Sequence, residues 1–417
     1  MSRDAEYAVI TGMGAVSPHG HTVATLWSKL LQGQSSFRPL TLFDASMFRN
    51  PLAGVVDGYP NTTEVDQPAR AVRMLEDAIG ESLRDALGLT PDAPDTHLIE
   101  GIGKSGLRHS SIVTGSNFGG MSVTERALID GTSTISQASL DGYLLGSAAN
   151  RIAGRYSLDG SHFNLSLSCA SGTAAIGLAL DLIRHGRADV AIACGYDELS
   201  LYAYAGLSAL RAITPDTIRP FDKRRKGTLF SEGAGAVVLE SPEHAAGRKA
   251  PNIYAHVLGR AMNNDAYHMT APEPEAYGFQ AVMRAALDDA GISPGDIDHL
   301  NLHATGTPLN DALETKAVHA VFGPRGRTIP VCSIKSSIGH TMGAAGVLES
   351  IAAIMTLRDG KIPPVLGLDP NEKDPLCDLN APIGAPLNGT FKNILKTSYG
   401  FGGTNAAIVM GRVACNV

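Results

Sequence analysis

No stretch of this chain approaches the ~18–20 consecutive apolar residues that a membrane-spanning helix needs. The opening MSRDAEYAVITG has no apolar core of the kind a signal peptide carries. A soluble, cytoplasmic protein is therefore expected. Tryptophan occurs once and aromatic residues make up 6%, against 46 glycines, a balance that implies many tight turns and close backbone approaches. The five cysteines (Cys169, Cys194, Cys332, Cys377 and Cys415) are odd in number and show no CxxC spacing. That fits a reducing compartment and gives no metal signature. With Lys+Arg 34 against Asp+Glu 41, the net charge of −7 argues against nucleic acid as a partner of the whole surface. A local basic patch for an acidic partner is still allowed.

Two familiar motifs are missing by a residue or two, and a third stands in the wrong setting. Gly12-x-Gly14 invites a dinucleotide-binding reading, but Ser17 stands where the third glycine belongs and Pro18 stops a helix from starting there. Gly103-Lys104-Ser105 looks like the end of a phosphate loop, yet position 98 is Leu rather than Gly. Gly-x-Ser-x-Gly occurs once, as Gly291-Ile292-Ser293-Pro294-Gly295, but in the tail of the helical run FQAVMRAALDDAGISPGDID rather than after a strand, which weakens a serine-hydrolase reading.

What is present is a chain of 417 residues, 44% of them hydrophobic, enough for a large core and two lobes. Residues 161–186, SHFNLSLSCASGTAAIGLALDLIRHG, read as a buried strand that turns at Ser168-Cys169 into an apolar helix. At such a junction free backbone N–H groups and the helix dipole favour thiolate over thiol, so Cys169 is expected to titrate below the ~8.5 of a free cysteine. Helical spacing also appears at 22–33 and 68–88, the latter through Val72, Leu75, Ile79, Leu83 and Leu87.

From about residue 252 the pattern starts again. NIYAHVLGRAMNND parallels the opening strand, and HLNLHATGT stands where HSSIVTGSN stood. IPVCSIKSSIGHTMGAAGVLESIAAIMTLRDG parallels the Cys169 unit. Two like α/β halves are expected, 1–251 and 252–417, the first interrupted by an insertion near 120–150, with chemistry where matching turns converge. The second half brings two histidines into strand-to-turn settings, His303 in NLHATGTPLND and His340 in SIKSSIGHTMGAAG. Lys335 precedes His340 by five residues and Glu314 follows His303 by eleven. These two are expected to form a buried ion pair that sets the polarity of the pocket, since a buried lysine needs a partner.

These residues carry a resemblance. Cys-Ala-Ser-Gly at 169–172, Arg-Pro-Phe-Asp at 219–222, Asn-Asp-Ala-Tyr-His-Met-Thr at 264–270, His-Ala-Thr-Gly-Thr-Pro at 303–308, Lys-Ser-Ser-Ile-Gly-His at 335–340 and Gly-Phe-Gly-Gly-Thr-Asn at 400–405 follow one another in order. In this the chain resembles the β-ketoacyl-acyl-carrier-protein synthases of the thiolase-like superfamily, nearest the elongating, KAS II-like branch, over nearly its whole length. The resemblance implies a duplicated five-layer α-β-α-β-α fold, a homodimer, and an acyltransferase that extends a fatty-acid or polyketide chain. Two departures stand out. The elongating members commonly read Arg-Asp-Gly-Phe where this chain has Arg225-Lys226-Gly227-Thr228, so a pocket wall differs and a specialised polyketide or polyene pathway is favoured. The histidine motif reads His-Ala-Thr-Gly-Thr rather than His-Gly-Thr-Ser-Thr, a milder change because both threonines are kept.

By the same resemblance, Cys169 is the nucleophile that takes an acyl group from a carrier protein, and the backbone N–H groups of Cys169 and Phe401 form the oxyanion hole. His303 and His340 hold the enolate of a decarboxylating malonyl thioester, with Lys335 and Glu314 in support. Phe401, between Gly400 and Gly402, is the implied gate. Thr305 and Thr307 hydrogen-bond the pantetheine arm, and Arg211, Arg70 and Arg73 meet the carrier. No metal or redox cofactor is implied, because 4′-phosphopantetheine arrives on the carrier protein. Two other readings stay open. A degradative thiolase would need a second cysteine in the turn Tyr399-Gly400-Phe401-Gly402-Gly403, which has none. A non-catalytic chain-length subunit, partner in a heterodimer, would typically lack the nucleophile.

Overall fold

The computed structural model describes residues 6–59, 68–129, 131 and 144–413. Of the insertion expected near 120–150, residues 130 and 132–143 lie outside the described residues, as does Cys415. Ten strands form one sheet. The first five are β1 (Ala8–Val16), β2 (Ser111–Gly115), β3 (His162–Leu165), β4 (Val190–Asp197) and β5 (Gly233–Glu240). The second five are β6 (Ala255–Asn264), β7 (His299–Asn301), β8 (Val331–Cys332), β9 (Asn393–Gly400) and β10 (Thr404–Arg412).

The strand order repeats. It runs β1-β5-β4-β2-β3 in the first set and β6-β10-β9-β7-β8 in the second. In both, the first two contacts are antiparallel and the last two parallel. A short antiparallel pairing of β1 with β6, from Ala8↔Val257 to Ile10↔Ala255, joins the sets.

Five helices complete the layers: α1 (Arg70–Leu87), α2 (Ser171–Arg184), α3 (Tyr277–Asp289), α4 (Pro308–Phe322) and α5 (Ala345–Asp359). α1 covers β1, β5 and β4 from outside, while α3 lies on β6 and β10 with α4 beside it. α2 and α5 pack on each other in the middle, each touching strands of both sets. The result is α-β-α-β-α.

The sequence explains the layering. In α1 the positions Val72, Leu75, Ile79 and Leu83 are buried, as a single apolar stripe requires. α5 is buried from Ala345 to Leu357, the pattern of a helix enclosed on every side. Small residues let the central pair close: a Cβ on Gly346 would lie 2.2 Å from the Thr173 nitrogen. The Gly12-x-Gly14 pair has the same purpose, since a Cβ there would fall 2.1 Å from the Ser82 carbonyl and 1.9 Å from that of Ala78. Those glycines seat α1 on β1. Among the described residues no helix is long and apolar enough to cross a membrane.

Candidate active site

Cys169 sits between β3 and α2, where Ser168 takes a φ of 49°, a strained turn for a residue with a side chain. The turn is stitched by Ser171, whose Oγ accepts from Leu167 N at 2.8 Å and donates to the Ser168 carbonyl at 2.7 Å. The sulfur faces a cavity of about 430 Å³ whose lining also includes His303, His340, Phe401 and Tyr399.

His340 Nε2 lies 2.9 Å from Cys169 Sγ. Its backbone is fixed beside Phe230, with His340 N donating to the Leu229 carbonyl at 2.8 Å and Ser231 N to the His340 carbonyl at 3.0 Å. The ring stacks on Phe230, centroids 5.7 Å apart. Met342 N donates to His340 Nδ1 at 3.3 Å, so Nδ1 accepts and the proton of the neutral ring belongs on Nε2.

His303 stands at right angles to His340, the rings 5.4 Å apart at 84°. One sulfur and one nitrogen from each ring all fall within 4.8 Å of one another. Lys335 Nζ lies 3.3 Å from His303 Nδ1. An ammonium only donates, so His303 too carries its proton on Nε2. Burial and the Lys335 ammonium hold both imidazoles well below 6.5, which leaves them neutral donors near pH 7.

Three expectations are corrected. Lys335 does not pair with Glu314; its Nζ bonds Glu349 Oε1 on α5. Glu314, on α4, accepts from His303 N and Ala304 N at 2.8 Å each and from Thr397 Oγ1 at 2.9 Å. It anchors the backbone of the His303 turn. The Cys169 thiol is not lowered: burial pushes it up to about 12, outweighing the pull of Lys335. Arg70 is not available to a carrier protein, being 3% exposed and bound to Glu232 and the Val56 carbonyl.

The other expected residues divide by location. Arg211 is exposed and lines the cavity mouth, while Arg73 is half-buried on α1 and does not line the cavity. Thr305 and Thr307 line the cavity with their hydroxyls 2.9 Å apart. Phe401 packs against the cluster of Ile213, Leu229, Phe230 and Met342. Gly402 (φ 82°) and Gly403 (φ 72°) follow it, and Gly402 N donates to the Met269 carbonyl at 2.7 Å. Thr228 is buried in the cavity wall, its Oγ1 without a hydrogen-bond partner among the described residues.

Sequence reasoning missed Glu349, Lys396 and Asp197. Glu349 is a lone carboxylate inside AGVLESIAAIMTL and Lys396 a lone cation inside the strand NILKTSYG, each a readable sign of a buried charge with a partner. Asp197, at the end of β4, accepts from Ser116 Oγ and Phe118 N at 2.8 Å each and from Gly343 N at 2.7 Å. It ties the loop after β2 to the loop after His340.

Two family models match the chain: the beta-ketoacyl synthase N-terminal domain over residues 5–245 and the beta-ketoacyl synthase C-terminal domain over 254–369. A curated relative, 3-oxoacyl-[acyl-carrier-protein] synthase 2 of Coxiella burnetii (strain RSA 493 / Nine Mile phase I), is 35% identical, the match covering 97% of this chain and 98% of the relative. Among solved structures, the ishigamide ketosynthase/chain length factor superposes with a TM-score of 0.86 at 32% identity, covering 98% of this chain and 99% of that one. A type II PKS ketosynthase bound to a hexaketide, in complex with its acyl-carrier protein, also gives 0.86, at 28% identity over 98% and 99%.

Proposed function

This chain belongs to the β-ketoacyl synthase family, and from that premise we propose that it joins an acyl group carried on Cys169 to a malonyl thioester, yielding a 3-ketoacyl-carrier protein. The observation that carries this reading is the 2.9 Å approach of His340 Nε2 to Cys169 Sγ with His303 set across it.

Cys169 Sγ attacks the thioester carbon of an acyl-carrier protein; the bond to the pantetheine sulfur breaks, and the thiol proton leaves with that sulfur. The tetrahedral oxyanion is held by the backbone N–H groups of Cys169 and Phe401, which come together because Gly400 lets the two segments approach. Phe401 then moves aside for the malonyl thioester, a motion its following glycines allow. Carbon dioxide departs and its bonding electrons pass into the enolate, whose oxygen accepts from the Nε2–H groups of His303 and His340. The enolate carbon attacks the acyl-cysteine, the carbon–sulfur bond breaks, and the thiolate takes one proton from solvent. Thr305 and Thr307 hold the pantetheine arm, Arg211 meets the carrier, and a boundary near residue 251 separates the nucleophile's lobe from that of the histidines.

A second, finer reading concerns pathway and assembly. The likeness to a ketosynthase/chain length factor pair, together with a threonine at 228 in the cavity wall, favours elongation of a specialised polyketide or polyene chain with a chain-length partner over a housekeeping homodimer. The non-catalytic reading is disfavoured by Cys169 in reach of His340. The thiolase reading is disfavoured because Cys169 is the single cysteine among the residues that line the cavity.

The test is direct. Purified protein is expected to convert acyl-carrier and malonyl-carrier protein to a 3-ketoacyl product, and Cys169→Ala to abolish it. Condensation persisting in that variant would remove the covalent step.

A further inference from the structure

Beneath the two imidazoles lies a carboxylate held by two lysines. Glu349 Oε1 accepts from Lys335 Nζ, and Glu349 Oε2 accepts from Lys396 Nζ at 2.5 Å. Lys396, on β9, is entirely buried. Its remaining donors go to Ser398 Oγ at 2.8 Å and to the Thr397 carbonyl. Its ammonium is therefore fully satisfied without touching either histidine. Lys335 is placed differently, bonded to Glu349 and also 3.3 Å from His303 Nδ1.

We propose that Lys396 is a positioning residue for the decarboxylating half of the reaction: by engaging one oxygen of Glu349, it leaves Lys335 directed at His303 Nδ1 and so keeps His303 an Nε2–H donor. The proposal rests on the condensation reading above. A carboxylate that already serves two ammonium groups draws each of them less strongly. With Lys396 gone, both Glu349 oxygens compete for Lys335, and the 3.3 Å contact to His303 is the one that weakens. The carboxylate–lysine pair left behind is charge-balanced, so the variant is not left with a lone buried charge.

The groups facing His303 come from several elements. Lys335 and His340 come from the loop after β8, Glu349 from α5, and Lys396 and Tyr399 from β9. Glu314 comes from α4 and is engaged by the His303 and Ala304 N–H groups. Cys169 completes the ring of groups from the turn before α2. The positive charge of Lys396 adds to that of Lys335 in keeping both histidines unprotonated.

The test separates the half-reactions in Lys396→Met and Lys396→Gln, the second retaining a donor for Ser398 and Thr397 without the charge. Transfer of acyl groups to Cys169 is expected to stay within about twofold of wild type. Release of carbon dioxide from malonyl-carrier protein is expected to fall about tenfold or more in kcat, with KM little changed and the acid limb of its pH profile moved upward. Both variants should behave alike, because charge rather than shape is removed. Equal losses in acylation and decarboxylation, or no loss in either, with an unmoved pH profile, would overturn the proposal. If Met does not fold, the Gln variant decides by the same criteria. Wild-type protein that fails to condense at all would instead indict the function itself.

Discussion

A methyl group on Gly400 would lie 3.0 Å from the backbone nitrogen of Cys169 and 2.9 Å from the Cβ of Ser168. The end of β9 thus presses on the nucleophile's turn so closely that only a hydrogen fits between them. The proposed oxyanion hole, which pairs the Cys169 and Phe401 N–H groups, depends on this approach. Gly400→Ala is expected to lower the rate of Cys169 acylation about 100-fold, the usual loss of one oxyanion donor, with circular dichroism unchanged. Acylation at the wild-type rate would show that the second donor lies elsewhere.

Burial that raises the Cys169 thiol to about 12 makes its unassisted reactivity steeply pH-dependent. Below that value the thiolate fraction climbs tenfold per pH unit. Alkylation by iodoacetamide, followed by mass spectrometry of the Cys169 peptide, is expected to accelerate about tenfold per unit between pH 7 and 10. A plateau below pH 8 would mean that the helix N-terminus and Lys335 outweigh burial.

Glu314 touches no substrate in this account, yet it holds the two N–H groups of the His303 turn. Glu314→Gln replaces one accepting oxygen with a donor that faces another donor. Stability is expected to fall by about 1–3 kcal/mol, the cost of an unsatisfied buried group. Decarboxylation should fall further than acylation, measured as two separate half-reactions. Equal losses would reduce Glu314 to a structural residue.

Arg211 and Arg70 separate surface recognition from folding. Arg211→Glu, at the mouth of the cavity, is expected to raise KM for carrier-bound substrates while leaving KM for free pantetheine thioesters unchanged. Arg70→Ala strands the buried Glu232 carboxylate and is expected to cost about 3–5 kcal/mol in denaturant unfolding. KM for the carrier in the surviving folded fraction should be unchanged. A carrier-specific KM effect at Arg70 would mean that the α1 terminus opens in solution.

What could be read from the chain followed from local chemistry. The apolar stripe of α1 and the small-residue turn at Cys169 declare their structures over short spans, and the second occurrence of the strand-turn-helix pattern announced a duplicated architecture. Partner choice was harder, because it depends on contacts far apart in sequence. Lys335 and Glu314 look like partners along the chain, but α5 carries Glu349 into reach of Lys335 while α4 spends Glu314 on backbone N–H groups. Arg70 follows the same rule: the resemblance sets it against a carrier protein, and only its packing against Glu232 reveals otherwise. The Gly12-x-Gly14 spacing shows the converse case, where glycines that suggest a ligand are there to admit a helix.

The central helices α2 and α5 meet through residues as small as Gly346 and Thr173, and each begins just after a reactive side chain, Cys169 or His340. The alignment of sulfur and imidazole is therefore set by how these two helices mesh, like the bite of a pair of jaws whose hinge is also their grip. A shift along that seam would move sulfur and imidazole apart while leaving each strand's own hydrogen bonds in place.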